Sequence, residues 1–236
     1  MDRNRWIIFA VVCIGIVIGL VALPGKDKID VSKTDPTKID TISPIADHVI
    51  GKADSNIVVI EYADFQCPGC TAAFPQIKAV TDSYKSSIAF VYRNFPLTSA
   101  HQHAFAAAAT AESAGLQGKY WEMHDMLFQN HETWSVVTPA ERDTIFEGYA
   151  SQLGLNLTQF RSDLSSQKVA DKINTDRALG TKSGVDSTPT LYLNGAKIES
   201  DIVTDLMQNK GDKLRDKLDA LIRQSGGTPP ARATTQ

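Results

Sequence analysis

The sequence predicts an α/β domain in which a βαβ unit is joined to a ββα unit, with a helical insertion between them and one N-terminal transmembrane helix in front. Three observations support this fold class. An apolar strand runs directly into a helix, a hairpin signal lies near the C-terminal end, and helical patterning fills most of the residues between them. A chain of 236 residues is long enough for one such domain with appendages.

The βαβ unit is predicted in the first half of the chain. Residues 57–63 read Ile-Val-Val-Ile-Glu-Tyr-Ala, an apolar run that is typical of a buried strand. Helical spacing follows over 71–80, and Pro75 within it predicts a kink. The second strand is predicted over 87–93.

The helical insertion is predicted over about 99–183, which is about 85 residues. Its clearest helix start is Thr138, because Pro139 occupies the first helical position and Glu141 completes a capping box. Helices are predicted over 100–114, 120–129, 138–153 and 157–179.

The ββα unit follows the insertion. Two short strands, 189–193 and 196–198, flank Asn194-Gly195, which is the signal of a type I′ hairpin turn. One amphipathic helix is predicted over 202–222. The tail, 225–236, is rich in Gly, Pro and Thr, and we expect it to be disordered.

An uncharged run of 18 residues, Trp6–Leu23, precedes the domain. As a helix it would be about 27 Å long, close to the roughly 30 Å hydrocarbon core of a bilayer. We therefore expect an uncleaved anchor, with the N-terminus in the cytoplasm because two arginines precede the run. The alternative is a signal peptide whose cleavage gives a secreted protein. The predicted division is 1–24 cytoplasmic N-terminus and anchor, 25–44 flexible stalk, 45–224 domain and 225–236 tail.

Composition narrows the possible functions. The net charge is −3 and there is no long basic run, so we expect no nucleic-acid partner. No nucleotide, flavin or metal motif is apparent, so no cofactor is expected. Cys13 lies inside the apolar run, which leaves only Cys67 and Cys70 in the soluble part. A domain without a stray thiol favours an oxidising compartment, where spare cysteines would mispair.

The motif Cys67-Pro68-Gly69-Cys70 lies between the first strand and the helix that follows it. This position puts the first sulfur at a helix N-terminus, where unpaired N–H groups and the helix dipole favour a thiolate. The motif therefore predicts a redox site. Half of a zinc site and two inert core cysteines are the alternatives. None of the five histidines has metal-ligand spacing, and His101-x-His103 is interpreted as a solvated or capping pair.

Two further features support the redox interpretation. Glu61 interrupts the apolar strand six residues before Cys67, and a buried carboxylate there would titrate high and suit a proton relay to the inner thiol. The alternative is a glutamate at an exposed strand edge. Thr188-Pro189 begins the strand before the hairpin, which by itself predicts only a strand start.

Five blocks of sequence resemble the DsbA family of thiol:disulfide oxidoreductases in the thioredoxin superfamily, specifically its membrane-tethered bacterial members. The blocks occur in the family's order: 47–51, 64–70, 91–97, 117–124 and 184–190. The resemblance implies a thioredoxin fold, with Cys67 as nucleophile, Cys70 as its partner and Glu61 as the buried acid. It also implies that Pro189, preceded by Thr188, is a cis-proline that faces the motif and binds substrate.

One residue departs from the family's pattern. The best-known oxidases carry a histidine third in the motif, where this chain has Gly69. The expected function is oxidation of paired cysteines in reduced or misoxidised exported proteins by a monomer held outside the membrane, with a quinone-linked membrane protein as reoxidant. Disulfide reduction or isomerisation is the nearest alternative, and a tethered binding or chaperone module is a remote one.

Overall fold

A computed structural model describes residues 29–40, 43 and 45–232. The predicted anchor, Trp6–Leu23, and Cys13 within it lie outside the described residues. In the part of the chain that is described, no helix combines the length and the apolar character needed to cross a membrane.

The described chain forms a five-stranded sheet with helices on both faces. The strands are β1 (Val49–Gly51), β2 (Val58–Ala63), β3 (Ala89–Asn94), β4 (Thr190–Leu193) and β5 (Ala196–Lys197). The helices are α1 (Pro68–Tyr84), α2 (Ala104–Gly115), α3 (Tyr120–Gln129), α4 (His131–Trp134), α5 (Pro139–Gln152), α6 (Leu157–Leu164), α7 (Gln167–Lys182), α8 (Ser200–Met207) and α9 (Asp212–Gln224).

The sheet order β1-β3-β2-β4-β5 confirms the predicted joining of a βαβ unit to a ββα unit. β2 lies at the centre, parallel to β3 and antiparallel to β4. Five of its six residues are buried, because helices cover both faces of a central strand. The carboxyl end of β2 therefore meets α1 inside the domain, which is where the cysteine motif lies.

Two local signals form as predicted. The Thr138 hydroxyl accepts the N–H of Glu141, and the Glu141 carboxylate accepts the N–H of Thr138, which completes the capping box of α5. Asn194 and Gly195 have φ values of 49° and 84°, as a type I′ turn requires.

The helical patterning over 157–179 forms two helices, and the prediction of a single helix over 202–222 is wrong. The first is divided into α6 and α7, since the Ser166 side chain accepts the N–H of Val169 and starts a new helix. The second is divided into α8 and α9 by Asn209 and Gly211, both of which have positive φ. The short elements β1 and α4 were not predicted.

Residues 31–40 fall within the segment expected to be a flexible stalk, and in the structure they lie against the domain. The Lys182 ammonium donates to the carbonyl oxygens of Val31, Ser32 and Thr34 at 2.8–2.9 Å. Arg93 donates to two more carbonyl oxygens of the segment. Two long cationic side chains thus satisfy backbone acceptors that a free stalk would expose to water.

A network of buried charges joins the insertion to the sheet. The Asp47 carboxylate pairs with Arg93 at 2.8 Å and with Lys172 of α7 at 2.7 Å. Lys172 also pairs with Asp176 at 2.8 Å, and all four side chains are fully buried. Asp176 in turn accepts the backbone N–H of Asn94 at the end of β3.

In this network burial raises the pKa of each carboxyl group, and the neighbouring cations lower it. Burial works to raise the pKa of Asp47, but Lys172 and Arg93 outweigh it and hold that pKa below its usual value. Burial raises the pKa of Asp176 to about 6 despite the attraction of Lys172. Breaking one pair would leave an uncompensated charge in the core, so the network fixes α7 against β3.

Candidate active site

The cysteine motif occupies the start of α1. Cys67 is the N-cap residue, Pro68 takes the first helical position and Cys70 lies in the first turn. Cys67 is 8% exposed, whereas Cys70 is completely buried. The two cysteines are therefore not equivalent, since only Cys67 is open to a second protein.

The loop before β4 faces the motif. The Thr188–Pro189 peptide bond is cis, and the Cys67 thiol donates to the Thr188 carbonyl oxygen at 3.4 Å. A Cβ atom added at Gly69 would lie 3.5 Å from Cδ of Pro189 and 3.4 Å from Cε of Met207. Cys67, Cys70, Thr188 and Pro189, far apart in the sequence, thus form one site.

Hydrogen bonds make the two thiols chemically different. The pKa of Cys67 is lowered to about 5, first by a hydrogen bond from the Cys70 thiol, then by the Thr188 side chain and the N–H groups of Cys70 and Gly69. Burial opposes this effect without cancelling it. Burial raises the pKa of Cys70 far above its usual value, and the neighbouring Cys67 raises it further. At neutral pH Cys67 is a thiolate and Cys70 a thiol.

The Thr188 hydroxyl has a specific place in this arrangement. It is buried and has no hydrogen-bond partner within the described residues. A hydroxyl donor beside the sulfur favours the thiolate over the thiol, and the Thr188 side chain accordingly lowers the pKa of Cys67.

Glu61 lies in the middle of β2, between β3 and β4, and is 3% exposed. The alternative of a glutamate at an exposed strand edge is therefore wrong. Burial raises the pKa of Glu61 to about 8, with a smaller contribution from the negative charge of Cys67. Glu61 also raises the pKa of Cys70, so the two groups interact through the core.

Three histidines of the insertion hold the loop that leads into the motif. Their spacing in the sequence does not indicate this role. His101 Nδ1 lies 2.7 Å from Oδ2 of Asp64. His131 Nε2 lies 3.0 Å from the Gln66 carbonyl oxygen, and the backbone N–H of His103 donates to Oε1 of Gln66 at 2.6 Å. The loop before Cys67 is thus fixed from the insertion.

His103 corrects one prediction. The His-x-His spacing predicts a solvated or capping pair, but the His103 side chain is fully buried, and although His103 is the N-cap residue of α2 its ring makes no capping hydrogen bond among the described residues. The Arg142 guanidinium donates to Nδ1 at 3.0 Å, so the ring proton is on Nε2, which donates to the Val137 carbonyl oxygen at 2.8 Å. The ring ties the start of α2 to the loop before α5.

The zinc alternative needs further ligands beside the two cysteines. Across the described ranges, no group of three or more His, Cys, Asp or Glu side chains is arranged to hold a metal ion. A tetrahedral zinc site requires four such donors. The surroundings of Cys67 and Cys70 instead supply hydrogen-bond donors that stabilise a thiolate, together with one buried acid, Glu61.

A reactive Cys-x-x-Cys at a helix N-terminus, facing a cis-proline loop on a thioredoxin fold, defines the class of thiol:disulfide oxidoreductases. The chain belongs to the thioredoxin family, since the family model described as "Thioredoxin" matches residues 43–210. This match covers all of the residues that form the site.

Solved structures confirm the resemblance to DsbA-type proteins at the level of the fold. The thiol-disulfide exchange protein α-DsbA2 from Wolbachia pipientis is 21% identical, with a TM-score of 0.62 over 81% of this chain and 93% of that chain. BdbD from Bacillus subtilis is 22% identical, with a TM-score of 0.60 over 74% and 92%. A thioredoxin-like oxidoreductase from Silicibacter pomeroyi is 25% identical, with a TM-score of 0.55 over 72% and 92%.

Curated relatives match over a smaller share of their length. The Na(+)/H(+) antiporter NhaA 3 of Salinispora tropica is 37% identical over 156 residues, which are 66% of this chain and 23% of that protein. NhaA 1 of Salinispora arenicola matches over the same shares. The chain spans less than a quarter of the length of these relatives, so the likeness concerns one part of each.

Proposed function

We propose that this protein is an extracytoplasmic thiol:disulfide oxidoreductase that oxidises paired cysteines in exported proteins through Cys67 and Cys70. The observation that carries the proposal is the contrast between the thiols: the pKa of Cys67 is lowered to about 5, whereas that of Cys70 is raised. A stabilised thiolate favours the reduced form of the enzyme, and the enzyme then accepts electrons from its substrate.

The reaction begins with a Cys67–Cys70 disulfide. A substrate thiolate attacks the more accessible of the two sulfurs, that of Cys67, forming a mixed disulfide and expelling Cys70 as a thiolate, which takes a proton from Glu61. A second substrate thiolate then attacks the substrate sulfur of the mixed disulfide. The substrate disulfide forms and Cys67 leaves as a thiolate, so two electrons pass to the enzyme.

The surface around Cys67 suits an extended apolar segment of substrate. Among the described residues, two large apolar side chains are exposed: Val136, at 81%, and Met207, at 41%. Met207 reaches the space beside Gly69, and Val136 follows Ser135, whose carbonyl oxygen accepts from the side chain of Gln66. The backbone beside Pro189 would pair with the substrate in the manner of an added strand.

The low pKa of Cys67 favours the oxidase direction over reduction or isomerisation, because a more acidic thiol is the better leaving group. The glycine at position 69 disfavours the oxidase direction, because no histidine next to Cys70 stabilises the thiolate of Cys67. The test is the redox potential in glutathione buffers, together with oxidation of a reduced, unfolded model protein. A potential near about −270 mV, the value of thioredoxin, with no oxidation of the model protein would contradict the oxidase direction.

The proposed location is the outer face of the cytoplasmic membrane, with Trp6–Leu23 as a single anchor; secretion after cleavage is the alternative. Protease added to intact spheroplasts should remove the domain and leave a short membrane-bound fragment. The proposed reoxidant is a quinone-linked membrane protein. A Cys70→Ser variant should trap it, with substrates, as mixed disulfides on Cys67, whereas a Cys67→Ser, Cys70→Ser control should trap nothing.

A non-catalytic binding or chaperone module is the remaining alternative. It predicts that Cys67→Ser supports full function in cells, whereas the proposed exchange reaction predicts complete loss.

A further inference from the structure

A small cavity of about 20 Å³ lies between β2, α1 and α3, and neither cysteine of the motif lines it. Glu61 lines it from β2, Lys78 from α1, and His124 and Asp125 from α3, while the rest of its wall is mainly aromatic and aliphatic. The mechanism requires Glu61 to exchange a proton with solvent in each cycle, yet Glu61 is 3% exposed. Two other side chains that line the cavity, Lys78 and Asp125, are 39% and 24% exposed.

His124 has one ring nitrogen paired and one unpaired. Its Nδ1 lies 3.0 Å from the Asp125 carboxylate, and Asp125 pairs with the Lys78 ammonium at 2.9 Å. Its Nε2 is buried and has no hydrogen-bond partner among the described residues. Because the anionic Asp125 fixes the proton on Nδ1, Nε2 presents a lone pair.

We propose that this cavity binds one water molecule between the Glu61 carboxyl group and Nε2 of His124, and that His124 and Asp125 form the route by which Glu61 exchanges its proton with solvent. The inference rests on the proposed function. It assigns a role to two residues of the insertion that touch neither the substrate nor either sulfur, so they act through Glu61.

The dimensions and the donors fit one water. A cavity needs a volume of about 10–15 Å³ and two to four polar partners to hold a water molecule. The cavity volume is slightly above this limit, and Glu61 and His124 supply two partners of complementary character. A buried imidazole nitrogen without any partner is also unfavourable, and the water would relieve this cost.

The proton follows one direction when the active-site disulfide forms. With a mixed disulfide on Cys67, Glu61 first passes its proton through the water to Nε2, and the imidazolium releases the Nδ1 proton at Asp125 to solvent. The Cys70 thiol then gives its proton to the Glu61 carboxylate and attacks the sulfur of Cys67. The Cys67–Cys70 bond forms and the bound thiol leaves as a thiolate.

Burial and the neighbouring groups determine the charge of the His124 ring. Burial lowers the pKa of His124, against the attraction of Asp125, so the ring is neutral at rest and can accept a proton. The charged and titratable groups that face it are Asp125 and Tyr120 on α3, Lys78 and Asp82 on α1, Glu61 on β2, Tyr92 on β3 and His48 before β1.

The other interpretation of His124 is that it is only an aromatic core residue, because its ring packs on Phe65, Tyr92 and Phe128. His124→Phe separates the two interpretations, since it keeps a ring and removes the nitrogen. The reduced protein is mixed with oxidised glutathione, and the concentration-independent phase, in which Cys70 displaces glutathione from Cys67, is followed in H₂O and D₂O.

We expect His124→Phe to slow this phase at neutral pH by about tenfold and to raise its solvent isotope effect, while alkylation of Cys67 by iodoacetamide changes less than twofold. Trp121→Phe, an aromatic exchange on the same helix and the same cavity, is the matched control and should leave both rates within twofold. Asp125→Asn should slow the phase by about threefold without altering the core.

An unchanged rate and isotope effect in folded His124→Phe would overturn the inference. If His124→Phe does not fold, Asp125→Asn is the test, and a wild-type rate in Asp125→Asn would overturn the inference. Absence of any exchange in the wild-type protein refutes the proposed function instead, so the two failures are distinguishable.

Discussion

Replacing Thr188 with valine tests the origin of the low Cys67 pKa. Valine has nearly the same shape as threonine, so the cis-proline loop should keep its packing and lose only the hydroxyl. That hydroxyl has no hydrogen-bond partner among the described residues, and the Thr188 side chain lowers the pKa of Cys67. We expect the variant to be less acidic at Cys67 and less oxidising.

The magnitude follows from one hydrogen bond to a charged group. Such a bond contributes about 1.5–3 kcal/mol, and about 1.4 kcal/mol corresponds to one pKa unit. The pKa of Cys67 should therefore rise from about 5 to roughly 6–7. Because the thiolate is then only partly populated at neutral pH, the potential should fall by about 30–50 mV.

Two measurements check this expectation: the ultraviolet absorbance of the thiolate against pH, and the equilibrium with glutathione. Thr188→Ser keeps the hydroxyl and should keep the low pKa. Thr190→Val is the matched control, because that buried hydroxyl donates to the Ser187 carbonyl oxygen and not to sulfur.

A Thr188→Val protein whose Cys67 pKa stays within about 0.3 units of the wild type would refute the reasoning. The low pKa would then come from Cys70 and the helix N-terminus alone.

Three further predictions concern the core, the motif and the ion network. Because burial raises the pKa of Glu61 to about 8, the folded reduced protein holds a proton that the unfolded chain releases above about 4.5. Stability should therefore fall as pH rises between these values, and Glu61→Gln should remove that slope in urea titrations. Gly69→His should lower the pKa of Cys67 and raise the potential, measured in glutathione buffers, since an added imidazolium stabilises the thiolate. Lys172→Met should lower the free energy of unfolding by about 3–5 kcal/mol, because it leaves the buried Asp176 without its cation and Asp47 with Arg93 alone. Lys213→Met, which breaks an exposed pair, should change it by less than about 1 kcal/mol.

Elements with local signals could be predicted from the sequence. The capping box at Thr138 and the Asn194-Gly195 turn each involve residues within a few positions of one another, so the pattern contains the whole interaction. The helix breaks at Ser166 and Gly211 were missed because apolar spacing continues across them. A single serine cap or a left-handed glycine decides the break.

The site divides in the same way. Cys67, Cys70 and Glu61 were predictable because a strand and the helix after it place them together. The facing loop at Thr188-Pro189 came from the family resemblance, since spacing alone predicts a strand start. Contacts across the chain were out of reach: His131 meets Gln66 from 65 positions away, and Lys172 meets Asp47 from 125.

The ion pairs between α7 and the sheet bear on motion at the substrate surface. If α7 swung away from β3, the buried Asp47 would lose its bond to Lys172 and the backbone N–H of Asn94 would lose its acceptor, Asp176. Local opening of this part of the insertion should therefore require nearly as much free energy as global unfolding, and its amides should exchange with deuterium among the slowest in the domain. The insertion then behaves as a fixed wall and not as a lid, so a client polypeptide has to supply the flexibility that brings its sulfur to Cys67.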